Sequence, residues 1–86
     1  MAKYKIVVSR SAEKSLKKLA SKDLVRVIST IQSLSIEPIP MGCRKLSGTE
    51  NIYRVRQGAY RIIYELEGNQ LIILVLKIGH RKDIYR

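Results

Sequence analysis

The chain has 86 residues, of which 45% are hydrophobic, and its 17 Lys and Arg against seven Asp and Glu give a formal net charge of +10. This length suffices for one domain and is too short for two, so we expect a single domain over residues 1–86. Cys43 is the only cysteine, which excludes an internal disulfide. With a single histidine besides, a zinc site built from Cys and His is excluded as well.

The excess of positive charge favours a polyanion or an acidic protein as the partner. A membrane is disfavoured, because the cations do not gather on one face of an apolar helix and the longest apolar run, 71–76, is too short to span a bilayer. The N-terminus has no apolar stretch of signal-peptide character. We therefore expect a cytoplasmic protein that uses no metal and no small-molecule cofactor.

The first part of the chain predicts one strand and two helices. Alternation of apolar and polar residues around Ile6 indicates a half-buried strand, and either Ser9 or Ser11 can cap the helix that follows. A second helix restarts near Ser21 and is stopped by Pro38. Its apolar stripe has helical spacing and comprises Leu24, Val27, Ile28, Ile31 and Leu34.

The second part predicts a loop over 38–51 and then three strands, at 52–57, 60–67 and 70–78. Gly58-Ala59 and Gly68-Asn69 supply the turns, with Gly first as a type II′ turn prefers. We expect the last strand to leave the sheet at Gly79. The fold class is therefore α+β, in the order β-α-α-β-β-β, with a helix hairpin packed on a mainly antiparallel four-stranded sheet.

Three arginines are expected on one surface of this sheet. Arg54 and Arg56 share a face of their strand because side chains alternate with period two. A two-residue turn at Gly58-Ala59 pairs Arg56 with Arg61, whereas a three-residue turn would put Arg61 on the opposite face. Opposed like charges destabilise paired strands, so their presence indicates a bound anion, unless the side chains splay into water or meet an acidic partner.

The C-terminal stretch 78–86 is strongly polar and adds further cations to the candidate site. Its His80 is a possible acid or base, although a lone histidine is more often incidental. Tyr85 offers a phenol and an aromatic face, which suits RNA, or it is a packing residue at the domain edge.

Taken together, the chain resembles the RelE/ParE toxin superfamily. The resemblance rests on the order and spacing of four blocks, Lys45-Leu46-Ser47-Gly48, Tyr53-Arg54-Val55-Arg56, Tyr60-Arg61-Ile62-Ile63-Tyr64 and Gly79-His80-Arg81-Lys82-Asp83-Ile84-Tyr85. It implies the toxin of a type II toxin–antitoxin pair that acts as a ribosome-dependent mRNA endonuclease, with an acidic antitoxin, the ribosome and mRNA as partners. Arg54 and Arg56 stand where the best-known RelE pattern has lysines.

Carried over onto this sequence, the resemblance implies a catalytic set on the middle strands and near the C-terminus. The set comprises Arg54, Arg56, Arg61, Arg81 and Tyr85, with His80 as a possible member and Lys45, Lys82 and Arg86 as further RNA-binding residues. The implied reaction is metal-independent attack of an RNA 2′-hydroxyl on the adjacent phosphate. Two alternatives stay open, a ParE-like toxin that targets DNA gyrase without nuclease activity and a basic RNA-binding module without catalysis.

Overall fold

The computed structural model describes residues 3–80, which form five strands and two helices. Their order along the chain is β1 (Lys5–Val8), α1 (Arg10–Lys17), α2 (Ser21–Ser33), β2 (Arg44–Lys45), β3 (Ile52–Gln57), β4 (Tyr60–Glu67) and β5 (Ile72–His80). The strands make one sheet in the order β1-β5-β4-β3-β2. Strand β1 runs parallel to β5 and the other neighbours are antiparallel. The predicted α+β fold class is thus confirmed.

The sheet has one strand more than the four that we predicted. Strand β2 lies within the segment 38–51 that we interpreted as a loop, and it pairs with the outer edge of β3. Its two residues, Arg44 and Lys45, are too few to produce a period-two pattern of burial. Only the pairing with β3 identifies this segment as a strand.

Helix α1 is tied to the sheet at its first turn. Of the two serines that the sequence offered as caps, Ser9 is the one used, and its hydroxyl accepts a hydrogen bond from the Ala12 amide at 3.1 Å. The same hydroxyl donates to the Leu76 carbonyl of β5 at 2.9 Å. One serine therefore caps the helix and fixes its start against β5, over which the fully buried Ala12 packs.

Helix α2 contributes most of the helical side of the core. Val27, Ile31 and Leu34 are buried, whereas Ile28, which we placed in the same stripe, is 37% exposed. The helix ends at Ser33, and hydrogen-bonded turns continue the chain to Glu37. Pro38 therefore follows these turns and does not itself end the helix.

Only one face of the sheet is covered by the two helices, and the core lies there. Its sheet residues are buried side chains from the three central strands, namely Val55, Ile62, Tyr64, Ile73, Val75 and Ile78. The opposite face carries Arg54, Arg56, Arg61, Ile63 and Glu65 by strand alternation, and we call it the open face. Both described helices lie on the other side of the sheet.

The last hairpin differs from the prediction at both ends of β5. The connection is a four-residue loop, 68–71, in which Leu71 has a φ of 54°, and the strand begins at Ile72 and not at Gln70. At its other end β5 runs through Gly79 to His80, so the exit that we predicted at Gly79 is wrong. Gly79 lacks a side chain but keeps its place in the ladder, opposite Arg61.

Within residues 3–80, no helix is long and apolar enough to cross a membrane.

Candidate nucleic-acid interface

The register between β3 and β4 brings the three predicted arginines together on the open face. Gln57 pairs with Tyr60, Arg56 with Arg61, and Arg54 lies opposite Ile63. Gly58 has a φ of 61° and Ala59 has no positive φ, as a type II′ turn requires. The two-residue turn is therefore confirmed, and with it the direct opposition of Arg56 and Arg61.

These arginines differ sharply in their access to solvent. Arg56 is exposed and Arg54 is half-buried, but Arg61 is only 7% exposed. We expected Arg61 to be a surface residue, and that expectation is wrong. Alternation along a strand shows which face a side chain takes but not how deeply it sits among its neighbours. A buried guanidinium is fixed in orientation, which suits the bidentate binding of an anion.

A fourth arginine, Arg44, joins the open face from the edge strand β2 and was missed from the sequence. Arg44 pairs directly with Arg54 of β3. The open face therefore has a second pair of opposed arginines, beside the pair that Arg56 of β3 makes with Arg61 of β4. The segment around Arg44 holds both prolines and two glycines and gives no periodic signal. Its closeness to Lys45, which belongs to the first block of the resemblance, was the available clue.

Three of the four arginines line a cavity on this face. Its volume is about 260 Å³, and its walls are Gly42, Arg44, Arg54 and Arg56. Within residues 3–80, neither Arg44 nor Arg56 forms an ion pair with a carboxylate. The cavity therefore presents guanidinium donors to a ligand, and the ligand that matches them is an anion with several acceptor oxygens, such as a phosphate.

Two other predicted site residues lie away from this cluster. Lys45 pairs with Tyr53 and so takes the opposite face of β2 from Arg44. His80 pairs with Tyr60, and their rings make an edge-to-face contact at 5.7 Å on the helix side. The Tyr60 hydroxyl donates there to Asp23 of α2 at 3.5 Å. The structure thus separates the His80 imidazole from the arginines of the open face.

Carboxylates occupy the far end of the open face. Glu65 accepts a hydrogen bond from the side chain of Asn51 at 3.3 Å. A side-chain hydrogen bond between Glu67 and Glu65, together with the negative charge of Glu65, raises the pKa of Glu67 above its ordinary value. Strand alternation along β4 puts both carboxylates on the face of Arg61, with Ile63 between them and the arginine. The open face is therefore cationic at one end and acidic at the other.

The remaining predicted site residues, Arg81, Lys82, Tyr85 and Arg86, lie outside the described residues. Among residues 3–80, no three side chains of His, Cys, Asp or Glu come together in a way that could hold a metal ion.

Comparison with known proteins agrees with this architecture over almost the whole chain. Residues 6–85 match the model of the ParE toxin of the type II toxin–antitoxin system parDE. Toxin RelG of Mycobacterium tuberculosis is 32% identical, over 96% of this chain and 97% of its own. The putative toxin RelE1 of Methanocaldococcus jannaschii is 30% identical, over 98% of this chain and 97% of its own.

A solved structure gives the same result. The archaeal RelE–RelB complex from Pyrococcus horikoshii contains a chain that is 30% identical and superposes with a TM-score of 0.83 over 96% of this chain and 99% of that one. A family model that covers nearly the full length and full-length relatives at 30% identity or more agree on one superfamily. The chain therefore belongs to the RelE/ParE superfamily, as a RelE-family toxin of a type II toxin–antitoxin system.

Proposed function

We propose that this toxin is a ribosome-dependent mRNA endonuclease that cuts RNA without a metal ion. The observation that carries the proposal is the pair of opposed arginines, Arg56 and Arg61, on a sheet face that no described helix covers. Directly opposed like charges lower the stability of a strand pair. A phosphate between the two guanidinium groups turns that repulsion into attraction, which gives the arrangement a purpose in binding.

The reaction that we assign to this site is transesterification within the RNA strand. A base takes the proton of a 2′-hydroxyl, and the 2′-oxygen attacks the adjacent phosphorus. The bond from phosphorus to the 5′-oxygen of the next nucleotide then breaks, and that oxygen receives a proton. The products are a 2′,3′-cyclic phosphate and a free 5′-hydroxyl. Charge accumulates on the phosphorane oxygens during this step, where fixed guanidinium donors stabilise it most.

The residues divide these tasks according to their chemistry. Arg56 and Arg61 hold the scissile phosphate, and because an arginine stays protonated neither is suited to act as the base. Tyr85 is the proposed base, because the resemblance implies a tyrosine at this position beside the scissile phosphate and a phenol can accept and release a proton. Arg81 assists the leaving oxygen. His80 is the weaker choice for acid or base, because its ring lies on the helix side against Tyr60.

In the cell we propose that the toxin enters the ribosome, cleaves mRNA in the cytoplasm, and is neutralised by an acidic antitoxin. The net charge of +10 supports both kinds of partner. The P. horikoshii relative was solved as a complex of RelE with RelB, which supports a RelB-like antitoxin for this chain.

The test is to incubate the purified protein with ribosomes programmed with a defined mRNA and to map the new RNA ends. We expect cleavage that requires the ribosome and leaves a 5′-hydroxyl. RNA that is bound but left intact would instead identify a basic RNA-binding module without catalysis.

Metal independence has its own test. Cleavage should persist when trace transition metals are chelated at a magnesium concentration that keeps the ribosome intact, because the arginines supply the positive charge that a metal would otherwise provide. Loss of cleavage that added zinc or manganese restores would contradict the metal-free mechanism.

A second candidate is a toxin that binds DNA gyrase, and the match of residues 6–85 to a ParE model favours it. The discriminating arm adds the protein to gyrase and supercoiled DNA. Inhibition of gyrase together with intact mRNA on the ribosome would assign this second function and overturn the first.

A further inference from the structure

The edge strand β2 gives the open face one arginine more than the cleavage step requires. Arg44 lies opposite Arg54, and Arg56 lies opposite Arg61, so two pairs of opposed arginines stand two residues apart along β3. Within residues 3–80, Arg44 forms no ion pair with a carboxylate. Because one pair suffices for a single phosphate, Arg44 supplies a further guanidinium that can bind a second anion.

The position of the second pair fits a neighbouring phosphate of the same strand. Two residues along an antiparallel strand advance about 6.8 Å. That separation is on the scale of the distance between adjacent phosphates in an extended nucleic-acid strand. Arg44, Arg54 and Arg56 line one cavity of about 260 Å³, so a strand that runs along β3 meets the second pair and Arg56 of the first pair in the same cavity.

We propose that Arg44 and Arg54 form a second phosphate subsite, which holds the phosphate next to the scissile one in a single-stranded RNA. This inference rests on the proposed function for its ligand class. Strand β2 then serves as the outer wall of the interface and sets the minimum length of RNA that the protein grips. Arg44 positions the strand by its phosphate and leaves the bases unread.

The experiment counts phosphates on short probes that cannot be cleaved. The first probe is a dinucleotide with a 2′-deoxy sugar before its single phosphate. The second and third are the same molecule with an added 5′- or 3′-terminal phosphate. Affinities of the full chain are measured by NMR titration at low salt, with arginine Nε–H resonances as the local readout. One of the two terminal phosphates should raise the affinity about tenfold, the value of one good charge-assisted hydrogen bond.

Variants of Arg44 assign this gain to the second subsite. Arg44→Gln should abolish the gain from the terminal phosphate and leave binding of the unphosphorylated dinucleotide nearly unchanged. Arg44→Lys should keep part of the gain, because it retains the charge but loses the bidentate geometry. Arg10→Gln removes the same charge from the exposed start of α1 and should behave as wild type.

A further readout is the salt dependence of binding to a longer single-stranded, uncleavable RNA. Each phosphate contact on a single strand contributes about 0.7 to the slope of log affinity against log salt, so Arg44→Gln should lower that slope by about 0.7. Arg10→Gln should leave the slope unchanged.

The subsite is refuted if neither terminal phosphate adds affinity, or if the gain survives in Arg44→Gln. Preference for an acidic peptide over every phosphorylated probe at Arg44 would also refute it, and would assign the residue to a protein partner. Failure of the proposed nuclease function looks different. In that case the terminal phosphate still raises the affinity and Arg44→Gln still abolishes that increase, but the mRNA on programmed ribosomes is not cleaved.

Discussion

The opposed arginines Arg56 and Arg61 differ in how deeply they are buried. Arg61 is 7% exposed, and burial fixes its guanidinium group in place. Arg56 is exposed and free to adjust to the ligand. A charge that is held in advance stabilises a transition state without reorganisation, whereas a mobile one must be ordered on binding. The buried arginine is therefore the better fixed of the two proposed phosphate ligands.

Arg56→Gln is the clean test of this site because its side chain is exposed. Removal of one donor to the developing charge typically costs about 10²-fold in rate, and we expect a loss of that size in single-turnover cleavage on programmed ribosomes. The free energy of unfolding in urea should stay constant or rise by a few tenths of a kcal/mol, since a like-charge contact is removed. Arg10→Gln, with the same loss of charge far from the open face, should cleave normally. A normal cleavage rate in Arg56→Gln would contradict the role of the pair.

For single residues, the sequence predicts well which face of a strand a side chain takes, but it predicts poorly how deeply that side chain is buried. Period-two alternation and the Gly58-Ala59 turn were enough to place Arg54, Arg56 and Arg61 together. The burial of Arg61 depends on how its neighbours pack, which alternation does not encode. Arg44 was missed for another reason. Its strand is formed by pairing alone, and two residues leave no pattern to detect.

At the level of elements, the hairpin of β3 and β4 controls the site, because a slip of one residue would send an arginine to the other face. The turn depends on Gly58, whose φ of 61° is rarely adopted by a residue with a side chain. A Cβ at this position would meet no atom within 4 Å, so the cost of a substitution is conformational and not steric.

We therefore expect Gly58→Ala to lower the free energy of unfolding by about 1–2 kcal/mol and to weaken RNA binding through disturbed register. Gly68→Ala is the matched control. It also lies in a hairpin connection with open space around it, but its φ is not positive. Its stability should be unchanged or slightly raised. Urea unfolding and the cross-strand NOEs between Arg56 and Arg61 measure the two effects, and equal stability of both variants would refute the turn argument.

A second link between elements is the Tyr64 phenol of β4. The side chain is fully buried, stacks on Tyr53 with ring centroids 5.9 Å apart, and donates to the Pro38 carbonyl at 2.7 Å. The hydrogen bond thereby links β4 to the segment that connects α2 with β2. Burial, with Cys43 as the next cause, raises the pKa of Tyr64 above its ordinary value. The phenol must therefore stay protonated for the fold to be stable.

This gives a prediction on pH with a definite sign. Because the folded pKa of Tyr64 is raised, its contribution to stability is complete below the unfolded pKa of about 10 and is lost progressively above it. Tyr64→Phe should cost about 1 kcal/mol at neutral pH, from the lost hydrogen bond to Pro38. The variant should also lose less stability between about pH 10 and 12 than wild type. Urea titrations at a series of pH values measure this, and parallel curves for the two proteins would contradict it.

The boundaries of elements were predicted less well than their existence. The continuous apolar run gave the position of β5 to within two residues, but the loop 68–71 took two residues more than the glycine signal implied. The polar character of the chain after Ile78 suggested an exit at Gly79. Pairing with β4 instead extends the strand to His80, because the backbone ladder does not require apolar side chains.

At the scale of the whole molecule, the high net charge and the small size both lower the stability of the folded state. A chain of 86 residues buries a modest fraction of its surface, and a net charge of +10 adds self-repulsion to the compact state. Apolar side chains also remain exposed on α2 and on the segment after it, namely Val25, Ile28, Ile36, Ile39 and Met41. We therefore expect an acidic antitoxin to stabilise the fold as well as to block the site. Partner at 1,000 times its Kd would add about 4 kcal/mol.

The last prediction concerns how such a complex responds to salt. If the antitoxin covers these exposed apolar side chains with an amphipathic helix and sets its acidic segment against the arginines, apolar burial supplies much of the affinity and charge mainly speeds association. The association rate should then fall as salt screens the charges, the dissociation rate should change little, and Kd should rise only in proportion to the fall in the association rate. The measurement is to express the neighbouring reading frame with this toxin, purify the pair, and follow both rates by surface plasmon resonance across a salt series. A dissociation rate that also rises steeply with salt would show a purely electrostatic complex, and no complex together with no rescue of growth would contradict the antitoxin proposal.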